Sequence, residues 1–337
     1  MAINRRTLFR LALASTLSPL LACSRPPQAF QETIAVFGTL VKLTAYAQQP
    51  EQATRAFSAV NQRFQQIHHE WHAWEKGGLV SKINRAISQG ETIEVSEEVA
   101  QFIQRNQQLC RQTNGLFDPG IGKLIKLWGF QQNSYEHNRA PSAESLAEVL
   151  SYKASILDLH WQGNRLSSNN DKVALDFGAS GKAYALDAAT QTLTQEGIRQ
   201  ATVMIGGDIQ VLGEKPDGPW RIGIKDPLDP NQAKASLTLI SGEAACSSGT
   251  YERFYTDQGK KVSHIIHPHT GQPVTHLLHS TAIHSDALIA EVGALAQLIA
   301  GADHWRSIAH NLGVEYSYLI DNDGQAMVST PLTKRLV

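Results

Sequence analysis

Strand-like and helix-like segments follow one another in this chain without the regular strand–helix alternation that builds a parallel sheet. Residues 33–46 read as two strands joined near Gly38, because short apolar runs flank that glycine. Further strand-like runs lie in residues 155–176 and 201–240, where glycine and proline mark the turns. We therefore expect an α+β fold, a single compact domain of two intertwined α/β subdomains with mostly antiparallel sheets and packed helices.

The helices are predicted from the spacing of apolar residues and from capping residues. Ser96 followed by two glutamates is typical of a helix N-terminus, since its hydroxyl can accept from the first free backbone amides. The last predicted helix is apolar enough to be buried. The predicted helices cover residues 51–70, 96–110, 142–150, 181–196 and 287–299.

The start of the chain has the parts of a secretory signal peptide, in which basic residues precede a short apolar run. That run is shorter than the ~20 apolar residues that span a bilayer. It ends in Leu20, a small residue at Ala22 and then Cys23, which is the lipobox pattern of bacterial lipoproteins. We expect a signal peptide over residues 1–22, lipidation of Cys23, a tether over residues 23–32 and one domain over residues 33–337.

Two alternatives stay open for this segment. An ordinary cleaved signal with a chance cysteine would give no anchor. Arg5 and Arg6 resemble a twin-arginine signal, although two ordinary basic residues before the apolar run explain them equally simply. With the anchor, the protein is expected at the bacterial inner membrane, facing the periplasm.

Charge and cysteine content limit the remaining possibilities. A formal net charge of −1 gives no broad attraction to nucleic acid, so we expect no nucleic-acid partner. Beyond Cys23 the chain has only Cys110 and Cys246. A periplasmic location would permit a disulfide between them, and two free buried thiols are the simpler alternative.

Glycine-rich turns recur beside charged residues. In residues 176–184 a strand ends, small residues leave room for a ligand, and Lys182 opens a helix. A lysine there opposes the helix dipole, so it needs a local partner, for which a phosphate is suitable. The segment is not a Walker A motif, because its leading glycine and following Ser or Thr are absent.

Six segments occur in a fixed order along the chain. They are Gly115-Leu116-Phe117-Asp118-Pro119, Leu127-Trp128-Gly129-Phe130, Asp176-Phe177-Gly178-Ala179-Ser180-Gly181-Lys182-Ala183-Tyr184, Gly206-Gly207-Asp208, Ser248-Gly249-Thr250-Tyr251 and His264-Ile265-Ile266-His267-Pro268-His269-Thr270-Gly271. Together they resemble the motifs of the FAD:protein FMN transferase family. The resemblance extends from Gly38 to about Gly301, with departures such as His267 in place of a family aspartate.

This resemblance implies an enzyme that splits FAD with Mg²⁺ and transfers FMN to a Thr or Ser hydroxyl of an acceptor flavoprotein, as a phosphoester. Some relatives mainly hydrolyse FAD to FMN and AMP. The expected acceptors are flavoprotein subunits of membrane or periplasmic redox complexes. By position, the implied FAD-site residues are Phe37, Trp74, Leu116, Phe117, Asp118, Asp176, Lys182 and Ile265.

Individual roles follow from the same resemblance. Trp74 would stack on a ring of FAD, and Lys182 would hold the pyrophosphate. His264 and Asp118 are the catalytic candidates. His264 would assist proton transfer from the acceptor hydroxyl, although a structural histidine in a turn is an equally good interpretation.

The implied metal site departs from the family pattern. The family carries Asp and, four residues later, Thr on one helix, and matching that helix at Gly301 places Glu291 and Leu295 there. The main-chain oxygen of Ala179 is the other implied ligand. Leu295 supplies no ligand, so this family position is lost. Two functions therefore stay open: a transferase with an altered metal site, or a flavin-binding paralogue acting as an FAD carrier, hydrolase or accessory factor in periplasmic redox-enzyme maturation.

Overall fold

The computed structural model describes residues 26–71, 77–132, 138–229 and 231–337. The predicted signal peptide, Cys23 and Trp74 lie outside the described residues, so the lipid anchor and the ring stacking stay predictions. Within the described ranges, none of the helices combines the length and the apolar character that crossing a bilayer requires.

In the described ranges the strands form one large sheet and three small ones. In chain order they are β1 (Gln28–Val36), β2 (Thr39–Ala47), β3 (Ile93–Glu94), β4 (Leu159–Gln162), β5 (Arg165–Ser168), β6 (Ala201–Ile205), β7 (Asp208–Leu212), β8 (Trp220–Lys225), β9 (Ala233–Leu239), β10 (Ala244–Gly249), β11 (Phe254–Asp257), β12 (Lys260–Ser263), β13 (Leu277–His284), β14 (Tyr316–Asp321) and β15 (Ala326–Val328). The large sheet has the order β1-β2-β6-β7-β10-β13-β14-β15. All its pairs are antiparallel.

The helices are α1 (Pro50–Trp71), α2 (Leu79–Ser88), α3 (Glu97–Gln112), α4 (Gly122–Leu127), α5 (Ala143–Ser151), α6 (Ser180–Gln195), α7 (Ala287–Ala300) and α8 (Trp305–Leu312). All five predicted helices are present. Ser96 caps α3 as expected, because its side chain accepts from the backbone nitrogen of Val99. The prediction missed α2, α4 and α8, which have ten residues or fewer and so offer few turns of periodicity.

The predicted tether boundary was wrong. β1 begins at Gln28, which pairs with Ala47 of β2, so residues 28–32 belong to the sheet. Their side chains are exposed or half-buried. The polar composition of this edge strand therefore reflects contact with water, whereas its backbone pairs along its full length.

Two hydrophobic cores lie on opposite faces of the large sheet. Alternate residues of a strand face opposite sides, and Ala244 and Cys246 join the main core while Ala245 joins the second. Helices α6 and α7 cover the main core, and α7 is mostly apolar because it is buried between β10, β13 and neighbouring helices. The β8–β9 hairpin covers the second core with Trp220 and Leu237.

A third, smaller core joins two of the sequence motifs. Trp128 and Phe130 pack there with residues of α4, α5 and the β11–β12 hairpin. The indole nitrogen of Trp128 donates to the carbonyl oxygen of Gly271 at 2.7 Å, in the distant turn that follows β12. The mixture of packed helices with antiparallel sheets confirms the expected α+β class.

Candidate active site

The glycine-rich motifs meet at one end of the large sheet. Val41 of β2 pairs with Ile205 of β6, which places the turn at Gly38 beside the turn at Gly206. The backbone nitrogen of Ser247, near the end of β10, donates to Asp208 at 2.9 Å, so the end of β10 joins the same edge. Antiparallel pairing thus gathers segments that are far apart in sequence.

Lys182 lies between two buried carboxylates at this edge. Its ammonium donates to Asp208, the first residue of β7, and lies 3.4 Å from Oε1 of Glu291 on α7. The Asp208 and Glu291 side chains are 0% and 2% exposed, whereas that of Lys182 is 28% exposed. The partner expected for Lys182 was a phosphate, and the described structure supplies carboxylates. The sequence prediction missed Asp208 as a site residue, although its Gly-Gly-Asp turn was recognised.

The charges of this group perturb one another. Burial opposes the charge on Lys182, but Asp208 and Glu291 outweigh it and raise the lysine pKa above its usual value. Burial, followed by the negative charge of Asp208, raises the pKa of Glu291 to about 8 despite the nearby lysine. Burial, with both carboxylates adding to it, also raises the pKa of the Cys246 thiol.

The residues at the implied metal positions fit Mg²⁺ only in part. The carbonyl oxygen of Ala179, the N-cap of α6, accepts from the backbone nitrogen of Lys182 at 3.0 Å. Glu291 keeps a carboxylate, whereas Leu295 is aliphatic and packs against the main core. Mg²⁺ prefers a near-octahedral set of oxygen ligands, and this chain lacks the third protein oxygen. Instead, ligand atoms of Asp208, Cys246 and Glu291 lie within 4.8 Å of one another.

Asp118 fixes the shape of its own loop. Its Oδ1 accepts from the backbone nitrogens of Gly120 at 2.7 Å and Ile156 at 2.9 Å. Burial raises the pKa of Asp118, against these hydrogen bonds, which lower it. The Phe117 side chain is buried in the main core and Leu116 packs at its border. The part of this loop that can face a ligand is therefore mainly backbone.

Asp176 and Phe37 are held by local contacts. Asp176 accepts from the backbone nitrogen of Gly178 at 2.9 Å and from the side chain of Gln131 at 2.8 Å. Gln131 had no distinguishing signal in the sequence. Phe37 has a φ of 58° in the β1–β2 turn, an uncommon conformation outside glycine. Its ring packs edge-on against Phe64 at 5.4 Å.

His264 is held in one tautomer. Its Nδ1 lies 3.0 Å from the carbonyl oxygen of Arg253, which can only accept, so Nδ1 carries the hydrogen and Nε2 carries the lone pair. Burial, followed by the positive charge of Arg253, lowers the pKa of His264 to about 3. The charge of Lys182 adds to this effect. Ile265 beside it is buried.

A hydrogen-bonded chain at the same edge was not predicted. The Tyr251 hydroxyl lies 3.0 Å from Nδ1 of His279, whose Nε2 lies 2.7 Å from the Thr281 hydroxyl. Thr281 in turn lies 2.8 Å from the hydroxyl of Ser247. Burial lowers the pKa of His279 to about 4, so the imidazole is neutral. Ser247 and Tyr251 lie far from His279 and Thr281 in sequence, and the β10–β13 register brings the two pairs together.

Known proteins resemble this chain in sequence. The model of the ApbE family matches residues 37–318. A FAD:protein FMN transferase of Rhodobacter capsulatus is 34% identical over 338 residues, which is 99% of this chain and 64% of the relative. This chain therefore spans less than two thirds of that relative's length. A FAD:protein FMN transferase of Escherichia coli (strain K12) is 29% identical over 239 residues, covering 69% of this chain and 67% of the relative.

Solved structures agree with the fold. The crystal structure of an ApbE protein from Thermotoga maritima has a TM-score of 0.83 at 29% identity, covering 91% of this chain and 99% of that one. The flavin transferase ApbE of Vibrio cholerae has a TM-score of 0.78 at 23% identity, covering 92% of this chain and 100% of its own. The Vibrio likeness is evidence for the fold alone.

Proposed function

This chain belongs to the ApbE family, and on that basis we propose that it is a transferase that cleaves FAD and attaches FMN to acceptor flavoproteins. The acceptor is a Thr or Ser hydroxyl, and the product is a phosphoester. The observation that carries the proposal is that Lys182 of one motif pairs with Asp208 of the Gly-Gly-Asp motif and with Glu291, at the end of the sheet where the Gly38 and Gly206 turns lie side by side. The relatives from Rhodobacter capsulatus and Escherichia coli are FAD:protein FMN transferases, which supports it.

The reaction is a displacement at phosphorus. The acceptor hydroxyl oxygen attacks the phosphorus of the FMN half, a new P–O bond forms, and the bond to the bridging oxygen breaks with its electron pair, so AMP leaves. Lys182 presents a cation that Asp208 and Glu291 hold in place. A fixed positive charge stabilises the negative charge that develops on the pyrophosphate.

The hydroxyl proton passes to Nε2 of His264, the nitrogen with the lone pair. A pKa of about 3 makes His264 a weak base. The proton therefore moves while the P–O bond forms, since the attacking hydroxyl is then far more acidic. Asp118 keeps the neighbouring loop in shape through its two backbone hydrogen bonds, which makes it a positioning residue rather than a base.

A divalent cation is the second part of the proposal. Mg²⁺, when bound, would neutralise charge on the pyrophosphate, and the Ala179 carbonyl and the Glu291 carboxylate are the oxygens available to hold it. Leu295 offers none, and Lys182 already pairs with Glu291. These two facts favour the alternative function, in which the chain binds flavin but transfers it slowly, as a carrier, hydrolase or accessory factor.

The cellular location of the protein is the third part of the proposal. Lipidation of Cys23 would hold the domain at the periplasmic face of the inner membrane, within reach of flavoprotein subunits of membrane redox complexes. The support for this part is the lipobox pattern in the sequence. Globomycin-type inhibition of lipoprotein processing, followed by membrane fractionation, tests it against Cys23→Ala.

One experiment separates transfer from mere binding. The purified protein is incubated with FAD, Mg²⁺ and a Thr-bearing acceptor flavoprotein domain, and the acceptor is weighed by mass spectrometry. Transfer adds the mass of FMN to the acceptor and releases AMP, and an acceptor with its Thr changed to Ala is the matched control. An acceptor of unchanged mass, despite measurable FAD binding, would exclude the transferase and leave the carrier function.

A further inference from the structure

Three potential metal ligands of different chemistry meet behind Lys182. Asp208 begins β7, Cys246 lies in β10 and Glu291 lies in α7. One potential ligand atom from each residue lies within 4.8 Å of the other two. All three side chains are buried. Because two of them project from the central sheet and one from the helix packed on it, the group is part of the rigid core of the fold.

One oxygen of this group lacks a partner. Glu291 is 2% exposed, and its Oε2 meets no hydrogen-bond donor among the described residues. A buried carboxylate oxygen without a donor or a cation costs free energy. The Lys182 ammonium approaches Oε1 of the same carboxylate, so it leaves the second oxygen uncompensated.

The thiol changes which cation suits the site. Mg²⁺ takes oxygen ligands, whereas thiolate ligands favour Zn²⁺ and its relatives. At this edge the chain lacks the hydroxyl of the family pattern at Leu295 and has the Cys246 sulfur beside Glu291. A mixed set of two carboxylates and one thiolate is suited to a borderline cation rather than to a hard one.

We infer that Asp208, Cys246 and Glu291 bind a thiophilic divalent cation of the Zn²⁺ type. Binding releases the thiol proton and any proton on Glu291 to solvent. Three anionic ligands, one dication and the Lys182 ammonium then carry no net charge, which suits a buried site. At Glu291 this cation would take the place of Mg²⁺, so the inference deepens the proposed function by naming a different divalent cation at the same edge, and it rests on that function only for a role in catalysis.

Cobalt(II) is the probe that tests it, because Co²⁺ replaces Zn²⁺ in such sites and a cobalt–thiolate bond absorbs in the near ultraviolet. The full chain is used with Cys23→Ser, which removes the N-terminal thiol, and is freed of metal before titration. We expect a thiolate-to-cobalt band that saturates at one equivalent. Zn²⁺ should abolish it, and about a hundredfold excess of Mg²⁺ should not.

The two buried cysteines provide matched variants. Cys246→Ser should lose the band, and Cys110→Ser, which changes the other free buried thiol, should keep it. Glu291→Gln should weaken Co²⁺ binding by about tenfold or more while the circular dichroism spectrum stays native. The Glu291→Gln variant keeps the inference testable if Cys246→Ser does not fold.

The outcomes distinguish this inference from the proposed function. No thiolate band in the parent protein, or a band that survives in folded Cys246→Ser, overturns the cation site even if FMN transfer proceeds with Mg²⁺. A saturable band that depends on Cys246 supports the site even if no FMN reaches an acceptor.

Discussion

Replacing Lys182 with methionine removes the only cation that pairs with either Asp208 or Glu291 in the described part of the chain. Methionine keeps a similar length and apolar stem, so packing changes little. Asp208 is 0% exposed and would be left as a buried charge without its ion-pair partner. We expect the variant to fold but to be strongly destabilised.

The magnitude follows from the burial of the pair. Breaking a buried ion pair by removing one partner costs about 3–5 kcal/mol. The comparison is Lys172→Met, which removes an ion pair in which the ammonium of Lys172 lies 2.7 Å from Asp171. The side chains of Lys172 and Asp171 are 41% and 55% exposed. Solvent screens that pair, so its loss should cost less than about 1 kcal/mol. The same Lys→Met change should thus lower the free energy of unfolding several-fold more at position 182 than at position 172.

Urea unfolding followed by circular dichroism measures both variants. At neutral pH the deficit of Lys182→Met should be several times that of Lys172→Met, with similar dependence on urea concentration. Adding Asp208→Asn to Lys182→Met should recover about half of the loss, because it removes the uncompensated carboxylate.

The pH dependence has a definite sign. The pKa of Glu291 is already raised to about 8, and loss of the ammonium raises it further. A raised carboxyl pKa in the folded state gives stability that is present at low pH and lost as pH rises through the folded value. The deficit of Lys182→Met should therefore shrink as pH falls towards 5 and grow towards 9. A deficit below about 1 kcal/mol at neutral pH would refute the reasoning, since it would mean that the ammonium does not offset buried charge.

Three further predictions concern the reaction. Asp118→Ala should weaken FAD binding about tenfold or more, measured by flavin fluorescence, because two backbone hydrogen bonds of the loop lose their acceptor; unchanged affinity would remove the loop from the site. The pKa of His264 is lowered to about 3, so the pH profile of the FMN transfer rate should have no inflection near pH 6.5 that is due to this residue. An inflection there that disappears in His264→Gln would contradict the assigned environment. Leu295→Thr should raise Mg²⁺-dependent transfer severalfold, because it places a hydroxyl one helical turn after Glu291; a flat response in a folded variant would show that the helix was matched incorrectly.

Local structure and family membership can be inferred from the amino-acid sequence alone. Apolar spacing and capping residues predicted five of the eight helices that the structure describes, and Ser96 was correctly predicted as the N-cap of α3. Ordered motifs identified the family because each motif is short and continuous in the chain. Patterns of this kind depend on residues within one or two turns of each other, which a single sequence displays directly.

The contacts of those residues depend on how the chain packs in three dimensions. The sequence suggested a phosphate partner for Lys182, and the β6–β7 turn and α7 place two carboxylates beside it that no local pattern indicated. Asp118 was a catalytic candidate, and its contacts make it the support of a loop. Cys246 had no assigned role until β10 placed its sulfur beside Asp208 and Glu291. These contacts join residues tens of positions apart, and the register of the sheet and the packing of α7 on it fix them, so no local pattern could have revealed them.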